Sequence, residues 1–273
     1  MICMDSKNPL ISVIMGVCYK YNTLHYLQRS LSSILSQTYS NWELLICENG
    51  STKEAIGYLK SLAASNPKVR LIDGTNASTL AAKLNRCLTF ASGDFIARMD
   101  DDDQCKPNRF ACQISFLLQH PEFVAVGCWI EEIDAPITHI RKLPEFPSVP
   151  DFRITFPFVH PALLFRKQPL WDIGGYSQSS RQIGCDDYDI MLRLYEQGYR
   201  AANLQQVLLY YSIASSQLKR RPYILFWNEA VTRFQHFRTL RRLPGWFLWV
   251  LKPLIVGLLP RSLLYAIKSK LRS

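Results

Sequence analysis

The chain has 273 residues, 48% hydrophobic and 20% charged, a composition that suits one large globular core and excludes a disordered or fibrous protein. Its formal net charge of +10 sits at one end: residues 217–273 carry twelve of the 32 Lys and Arg against a single acid, Glu229. Eight cysteines without any Cys-x-x-Cys spacing speak against a disulfide framework or a zinc site, and Asp5 and Lys7 before a short apolar run against a secretory leader, so a reducing cytoplasmic compartment is expected.

In chain order, Leu10 to Val17 is a β-branched run of strand length, followed by Leu24, Leu27, Leu31, Ile34 and Leu35 at helical spacing. Trp42 to Cys47 predicts a second strand ending at the turn Glu48-Asn49-Gly50-Ser51. A helix through Ile56, Leu59, Leu62 and Ala63 stops at Asn66-Pro67, and Val69 to Ile72 is a third strand. Ser78 is placed to cap a helix through Leu80, Ala81, Leu84 and Leu88, closed by Gly93. Phe95 to Met99 is the fourth strand, and Pro107 opens another helix through Phe110, Ile114, Phe116 and Leu117. Such alternation predicts βαβ units and a mostly parallel sheet with helices on both faces. From Glu122 the pattern turns irregular, β-rich and Pro-rich; a helix is expected over Asp186–Gly198 and a strand over Val207–Tyr211.

The fourth strand runs into Asp100-Asp101-Asp102-Asp103. Four adjacent carboxylates repel one another, and oxygen-rich clusters suit Mg²⁺ or Mn²⁺ gripping a diphosphate. A solvated acidic turn is the alternative. Ligands of open α/β sheets bind beyond the carboxyl ends of the strands, which here are Val17 to Asn22, Glu48 to Ser51 and the aspartates. Neither Gly-x-Gly-x-x-Gly after the first strand nor Gly-x-x-x-x-Gly-Lys-Ser/Thr occurs, which argues against an ordinary dinucleotide or P-loop site.

An ordered set of segments then becomes specific. Ser12-Val13-Ile14-Met15, Ser33 to Tyr39, Trp42 to Ile46, Gly50-Ser51-Thr52 and Leu84-Asn85 lead to Ala91 through Asp100. Pro107 to Phe110, His160-Pro161, Phe165-Arg166, Gly174-Gly175-Tyr176 and Asp186 to Leu194 follow. Over about residues 9–211 the chain resembles the family 2 glycosyltransferases, inverting enzymes of GT-A fold.

That resemblance implies an α/β GT-A domain over 1–216 and roles for particular residues. Asp100, Asp101 and Asp102 match the family's Asp-x-Asp signature, implying ribose contact by Asp100, a variable middle position at Asp101, and metal ligation by Asp102 with Asp103. Glu48 and Asn49 stand where the nucleobase is read, with Val17 and Tyr19 lining the same pocket; the Tyr19 ring could stack on a base or be an ordinary loop aromatic. Lys83 could offset diphosphate charge or be a solvated helix lysine. Asp187 matches the catalytic base, with complementing a helix N-terminus as its alternative role. The implied cofactor is Mg²⁺ or Mn²⁺. The implied partners are a nucleotide-sugar donor, a UDP-sugar above all, and a saccharide acceptor, lipid-linked as in bacterial surface-polysaccharide and O-antigen assembly. Two departures stand out: Gly16 occupies a common proline position, and Tyr211 is followed by Ser212, Ile213 and Ala214 where many members carry Tyr-Arg-x-His. A catalytically impaired nucleotide-sugar-binding or partner-binding paralogue is therefore a second reading.

Residues 217–273 interleave cations with Trp246, Phe247 and Trp249, and their apolar run is broken by Lys252-Pro253 before it reaches the ~20 residues a span needs. A basic, aromatic-rich helical extension lying on an anionic membrane at its cytoplasmic face is the expectation. A packed helical hairpin is the alternative; a peripheral membrane or nucleic-acid-binding protein is the remaining reading, although nucleic acid is not the expected partner.

Overall fold

The structure, a computed structural model, describes residues 8–19, 24–134, 138–213, 222–240 and 245–259. Strands and helices alternate at first: β1 (Ile11–Val17), α1 (Leu24–Leu35), β2 (Trp42–Glu48), α2 (Lys53–Ser65), β3 (Val69–Asp73), α3 (Leu80–Phe90) and β4 (Phe95–Arg98). A short β5 (Gln104–Cys105) and α4 (Arg109–Gln119) precede the long β6 (Phe123–Ile133) and β7 (His139–Arg141). Two 3-10 turns, Val149–Arg153 and His160–Ala162, lead to β8 (Leu164–Arg166) and α5 (Lys167–Asp172). The described chain continues with α6 (Asp186–Glu196), β9 (Arg200–Ser212), α7 (Tyr223–Leu240) and α8 (Trp246–Leu258).

All strands join one sheet in the order β3-β2-β1-β4-β8-β6-β9-β5, with β7 on β6. The first four are parallel as expected, while β8 is antiparallel to both β4 and β6. Side-chain alternation divides the core between the two faces. Val13, Met15, Leu44 and Ile46 pack with Leu27, Leu31 and Phe110 on one side. Ile14, Leu45 and Cys47 pack with Leu84, Cys87, Ile190 and Phe152 on the other. Burial on both faces explains the near-continuous apolar runs of β1 and β2.

Three details differ from the expectations. Thr79, not Ser78, caps α3, its hydroxyl accepting from the Ala82 N–H at 3.1 Å; that hydroxyl reaches the third helical residue, as N-caps do. The expected strand at Val207–Tyr211 is the end of the thirteen-residue β9. Within the stretch expected to be irregular and β-rich, β6 is a regular strand of eleven residues, because Phe123 to Ile130 is apolar and, apart from the half-buried Trp129, buried between β8 and β9. The expected boundary at 216/217 lies outside the described residues.

Candidate functional site

Parallel register brings three strand ends level: Val17 pairs with Glu48, and Glu48 with Asp73. The Lys83 ammonium, buried under these ends, donates to the carbonyls of Val17 at 2.5 Å and Asn49 at 3.0 Å. Lys83 is thus no solvated helix lysine; it straps the ends of β1 and β2 together. Glu48 is half-buried, one carboxylate oxygen accepting from the Ser51 N–H at 2.8 Å. Asn49, also half-buried, donates towards the Ala77 carbonyl at 3.3 Å. Gly74 lets β3 close on this turn, since a Cβ there would come within 2.5 Å of the Glu48 carbonyl oxygen.

Tyr19 is the expectation that the structure corrects. Its ring is only 2% exposed and belongs to the core beside Leu27, whose N–H donates to the phenol oxygen at 3.3 Å. The ring is therefore part of the core and not an exposed loop aromatic; at the turn the Tyr19 backbone is paired with Ser51 and Thr52.

Beyond β4 the acidic run folds into a cluster: carboxylate oxygens of Asp100, Asp102 and Asp103 all lie within 4.8 Å of one another. At an effective dielectric near 20, each such pair of charges repels by about 3–4 kcal/mol. The strain is visible in protonation. Burial, then Asp100 and Asp102, push Asp101 up to about 7. The same causes in the same order push the fully buried Asp103 well above the usual carboxylate range. One Asp103 oxygen accepts from the Ser212 N–H at 2.8 Å; the other is buried without a hydrogen-bond partner. Buried polar atoms are rarely left so, and an orphaned carboxylate oxygen facing two more carboxylates fits a divalent cation, with Asp100, Asp102 and Asp103 as the available ligands.

Sequence reasoning missed the residues that hold this loop. Arg98, the last residue of β4, is buried beneath it and pairs with Asp100 at 2.5 Å. Burial alone would weaken the guanidinium's hold on its proton, but Asp100 outweighs that and raises its pKa. The Ser30 hydroxyl donates to the Asp100 carbonyl at 2.8 Å, tying the loop to α1. Arg109, also buried, donates to the Arg98 carbonyl at 3.0 Å. A charged residue inside a four-residue apolar strand was the signal available for Arg98; nothing local marks Ser30.

Asp187 lies half-buried in the first turn of α6, accepting from the Tyr188 N–H at 2.8 Å, a contact that also suits a helix N-terminus. Its neighbour Asp186 is pushed up to about 6 by burial and then by Asp187. Tyr176 is buried within the electrostatic reach of both sets of acids. Its hydroxyl hydrogen-bonds His160 Nε2 at 2.8 Å. Burial raises the phenol's pKa, Arg98 opposes this, and Asp186, Asp187 and Asp100 add to it. His160, buried and near the Arg98 cation, is held well below the usual imidazole range and is neutral.

The C-terminal helices complete the surroundings. In α7, Arg233 is fully buried, paired with Glu229 at 3.0 Å and donating to the Arg153 carbonyl at 2.9 Å. His236 meets Asp189 at 3.1 Å and Glu196 at 3.0 Å, and Asp189 also holds Arg193 at 2.8 Å. Asn228 and Gln235 reach back to Ile183 and Gln182, in the loop that leads into Asp187. Among the described residues no helix is long and apolar enough to cross a membrane. The cations at 219–221, 241–242 and 261–272, and Ala214 after β9, lie outside the described residues.

An acid cluster beyond the carboxyl ends of the parallel strands of a mixed α/β sheet is the arrangement expected of a GT-A type glycosyltransferase. Residues 12–174 match the profile of the family described as Glycosyl transferase family 2. The chain is 34% identical to the "Putative glycosyltransferase EpsE" of Bacillus subtilis (strain 168), over 95% of this chain and 93% of that one. It is 26% identical to the UDP-Gal:alpha-D-GlcNAc-diphosphoundecaprenol beta-1,3-galactosyltransferase of Escherichia coli, over 86% and 85% of the two chains. The mannosyltransferase PcManGT from Pyrobaculum calidifontis, solved in complex with GDP-Man and Mn²⁺, superposes with a TM-score of 0.63 at 21% identity, covering 97% of this chain and 81% of that one. The protein belongs to glycosyltransferase family 2.

Proposed function

We propose that this enzyme transfers a sugar, with inversion, from a nucleotide-diphosphate sugar to a hydroxyl of a lipid-linked saccharide, in polysaccharide or O-antigen assembly. The observation that carries the reading is the convergence of Asp100, Asp102 and Asp103 around a buried, unpartnered oxygen of Asp103 beside the ends of β1 and β2. Asp102 and Asp103 are the residues to hold Mg²⁺ or Mn²⁺, with Asp100 turned to the ribose; such an ion supplies positive charge against a departing diphosphate. Val17, Tyr19 through its backbone, Glu48 and Asn49 form the end of the cleft for the nucleobase, and Lys83 keeps the two strand ends at a fixed spacing. A UDP-sugar is the donor favoured by the galactosyltransferase relative, whose name also supplies the diphosphoundecaprenol-linked acceptor.

In this reading the acceptor oxygen attacks the anomeric carbon opposite the diphosphate. The new C–O bond forms as the anomeric C–O bond to phosphate breaks; the proton passes to Asp187 and the nucleoside diphosphate leaves. Asp186, pushed up to about 6 by burial and then by Asp187, places a second proton-accepting carboxylate beside the base. Peripheral contact with the inner face of the membrane is supported by the exposed apolar side chains of α8 together with the basic composition of residues 217–273.

The test is a melting-temperature panel of UDP-, GDP- and dTDP-sugars with and without Mn²⁺ or Mg²⁺, followed by donor hydrolysis and transfer. A metal-dependent rise with one nucleotide, lost in Asp102→Ala, is expected. No response to any donor would remove the enzymatic reading. A response without transfer or hydrolysis would favour the impaired paralogue, consistent with Ser212, Ile213 and Ala214 standing in place of Arg and His.

A further inference from the structure

Next to Asp187 lies a hollow of about 340 Å³ lined by none of the donor-side residues. Its size is within the ~300–1,000 Å³ range of small-ligand sites. Four segments build it: Ile154 to Phe156, the lead from Gly184 into α6, and the facing sides of α7 and α8. The helices approach closely because α8 carries Gly257 against Phe226, where a Cβ would come within 2.9 Å of the ring. Phe156, Phe226 and Val256 make apolar walls between Asp187 and Lys252.

The two cations at this hollow differ. Arg233 is satisfied, its guanidinium shared between Glu229 and the carbonyls of Phe152 and Arg153. Lys252 donates to the Ile154 carbonyl, and no carboxylate among the described residues is within ion-pairing distance of it. Burial, then the Arg233 cation, lower its pKa while Glu229 opposes them, so an anion beside Lys252 would stabilise its charged form. On α8, one step around from the lining positions, Leu248, Leu251, Ile255 and Leu258 recur at spacings of three and four residues and are all exposed, Leu258 to 73%. Such a stripe on a helix too short to span suits insertion into the bilayer boundary.

Building on the transferase reading above, we propose that this hollow is the acceptor subsite and takes an isoprenoid diphosphate-linked sugar. The sugar hydroxyl points to Asp187, the diphosphate lies at Lys252, and the isoprenoid leaves over the apolar stripe of α8 into the membrane. A neutral soluble oligosaccharide would leave the Lys252 charge unanswered and the stripe without a use. A nucleic acid would need a row of cations, and among the described residues lining the hollow Lys252 is the one cation without a carboxylate partner.

Farnesyl diphosphate is the probe. Full-length protein is titrated in EDTA, so that the aspartate cluster adds no metal-bridged binding, and the fluorescence of the α7 and α8 tryptophans is followed. Saturable binding is expected, displaced by inorganic pyrophosphate, at least tenfold weaker for farnesol, and weakened at least tenfold by Lys252→Met, Lys252→Glu and the hollow-filling Val256→Trp. Binding that farnesol matches, or that survives both Lys252 substitutions, would overturn the proposal and leave α8 as a lipid-docking stripe. The melting-temperature rise given by UDP or GDP with Mn²⁺ serves as the fold control in every variant. Farnesyl diphosphate binding without that rise in the parent protein counts against the donor reading; the rise without farnesyl diphosphate binding counts against the acceptor subsite alone.

Discussion

Two clusters of buried charge in this protein are built on opposite terms. At the end of β4, Asp100, Asp102 and Asp103 converge, the buried Arg98 pairs with Asp100, and an oxygen of Asp103 has no hydrogen-bond partner. Where α7 meets α6, Asp189 faces both Arg193 and His236, and Arg233 faces Glu229. The first cluster gathers carboxylates around an oxygen that has no hydrogen-bond partner; the second is matched within the fold and acts as a joint. Burial alone therefore does not mark a functional site.

Substitutions sharpen this contrast, and the largest effect belongs to the unbalanced cluster. Asp102→Ala is expected to abolish the metal-dependent rise in melting temperature and to lower transfer on the order of 10⁴-fold, the size of a lost several-kcal/mol charge stabilisation. A variant that keeps both would return the aspartates to an acidic turn. Asp187→Asn should lower kcat by about 10²–10⁴-fold while leaving the donor-induced melting shift intact. If kcat holds, Asp187 serves the helix N-terminus only.

Arg98→Met leaves Asp100 without its cation above a buried strand end, and a loss of about 3 kcal/mol in urea unfolding is expected. Added Mn²⁺ should recover part of it if a cation answers the same carboxylates; no recovery would mean that Arg98 and the metal act independently. The smallest effect lies in the joint. Against the cost of burial, Asp189 and Glu196 raise His236 from 6.5 to about 9. Its stabilising contribution is therefore complete below about pH 6.5 and is lost as pH rises through about 9. Asp189, lowered by His236 and Arg193 although burial opposes them, acts oppositely: its share is present above its ordinary value and lost only as pH falls through the depressed one. Thermal unfolding between pH 6.5 and 9.5 should show a decline of about 2 kcal/mol in the parent protein that is absent in His236→Phe. Parallel curves would remove His236 from the joint.

Much of the donor half could be read along the chain, because its signals are local. Apolar runs of strand length, helix spacing between them and an acidic run at a strand end sit within a few residues of one another, and β1 to β4 appear where those runs predict them. Tyr19 shows the limit of that kind of reading. Its place beyond a strand suggested an exposed ring, and only the packing of Leu27 from α1 decides that the ring is core. Lys83 is similar: helix spacing cannot say that its ammonium lies beneath two strand ends.

By itself, then, the sequence determined the family, the parallel half of the sheet and the position of the acidic run, since each depends on residue order or short-range periodicity. The tertiary structure alone decided which aspartate oxygen is left without a partner, that Arg98 lies buried under the aspartate loop, and that the basic C-terminal block reaches back to wall a hollow beside Asp187. Most of these depend on contacts between residues far apart along the chain, such as the 80 positions between Arg233 and Arg153. Local patterning carries no information about such contacts, because chain folding and not chain order sets which charges share a low-dielectric space.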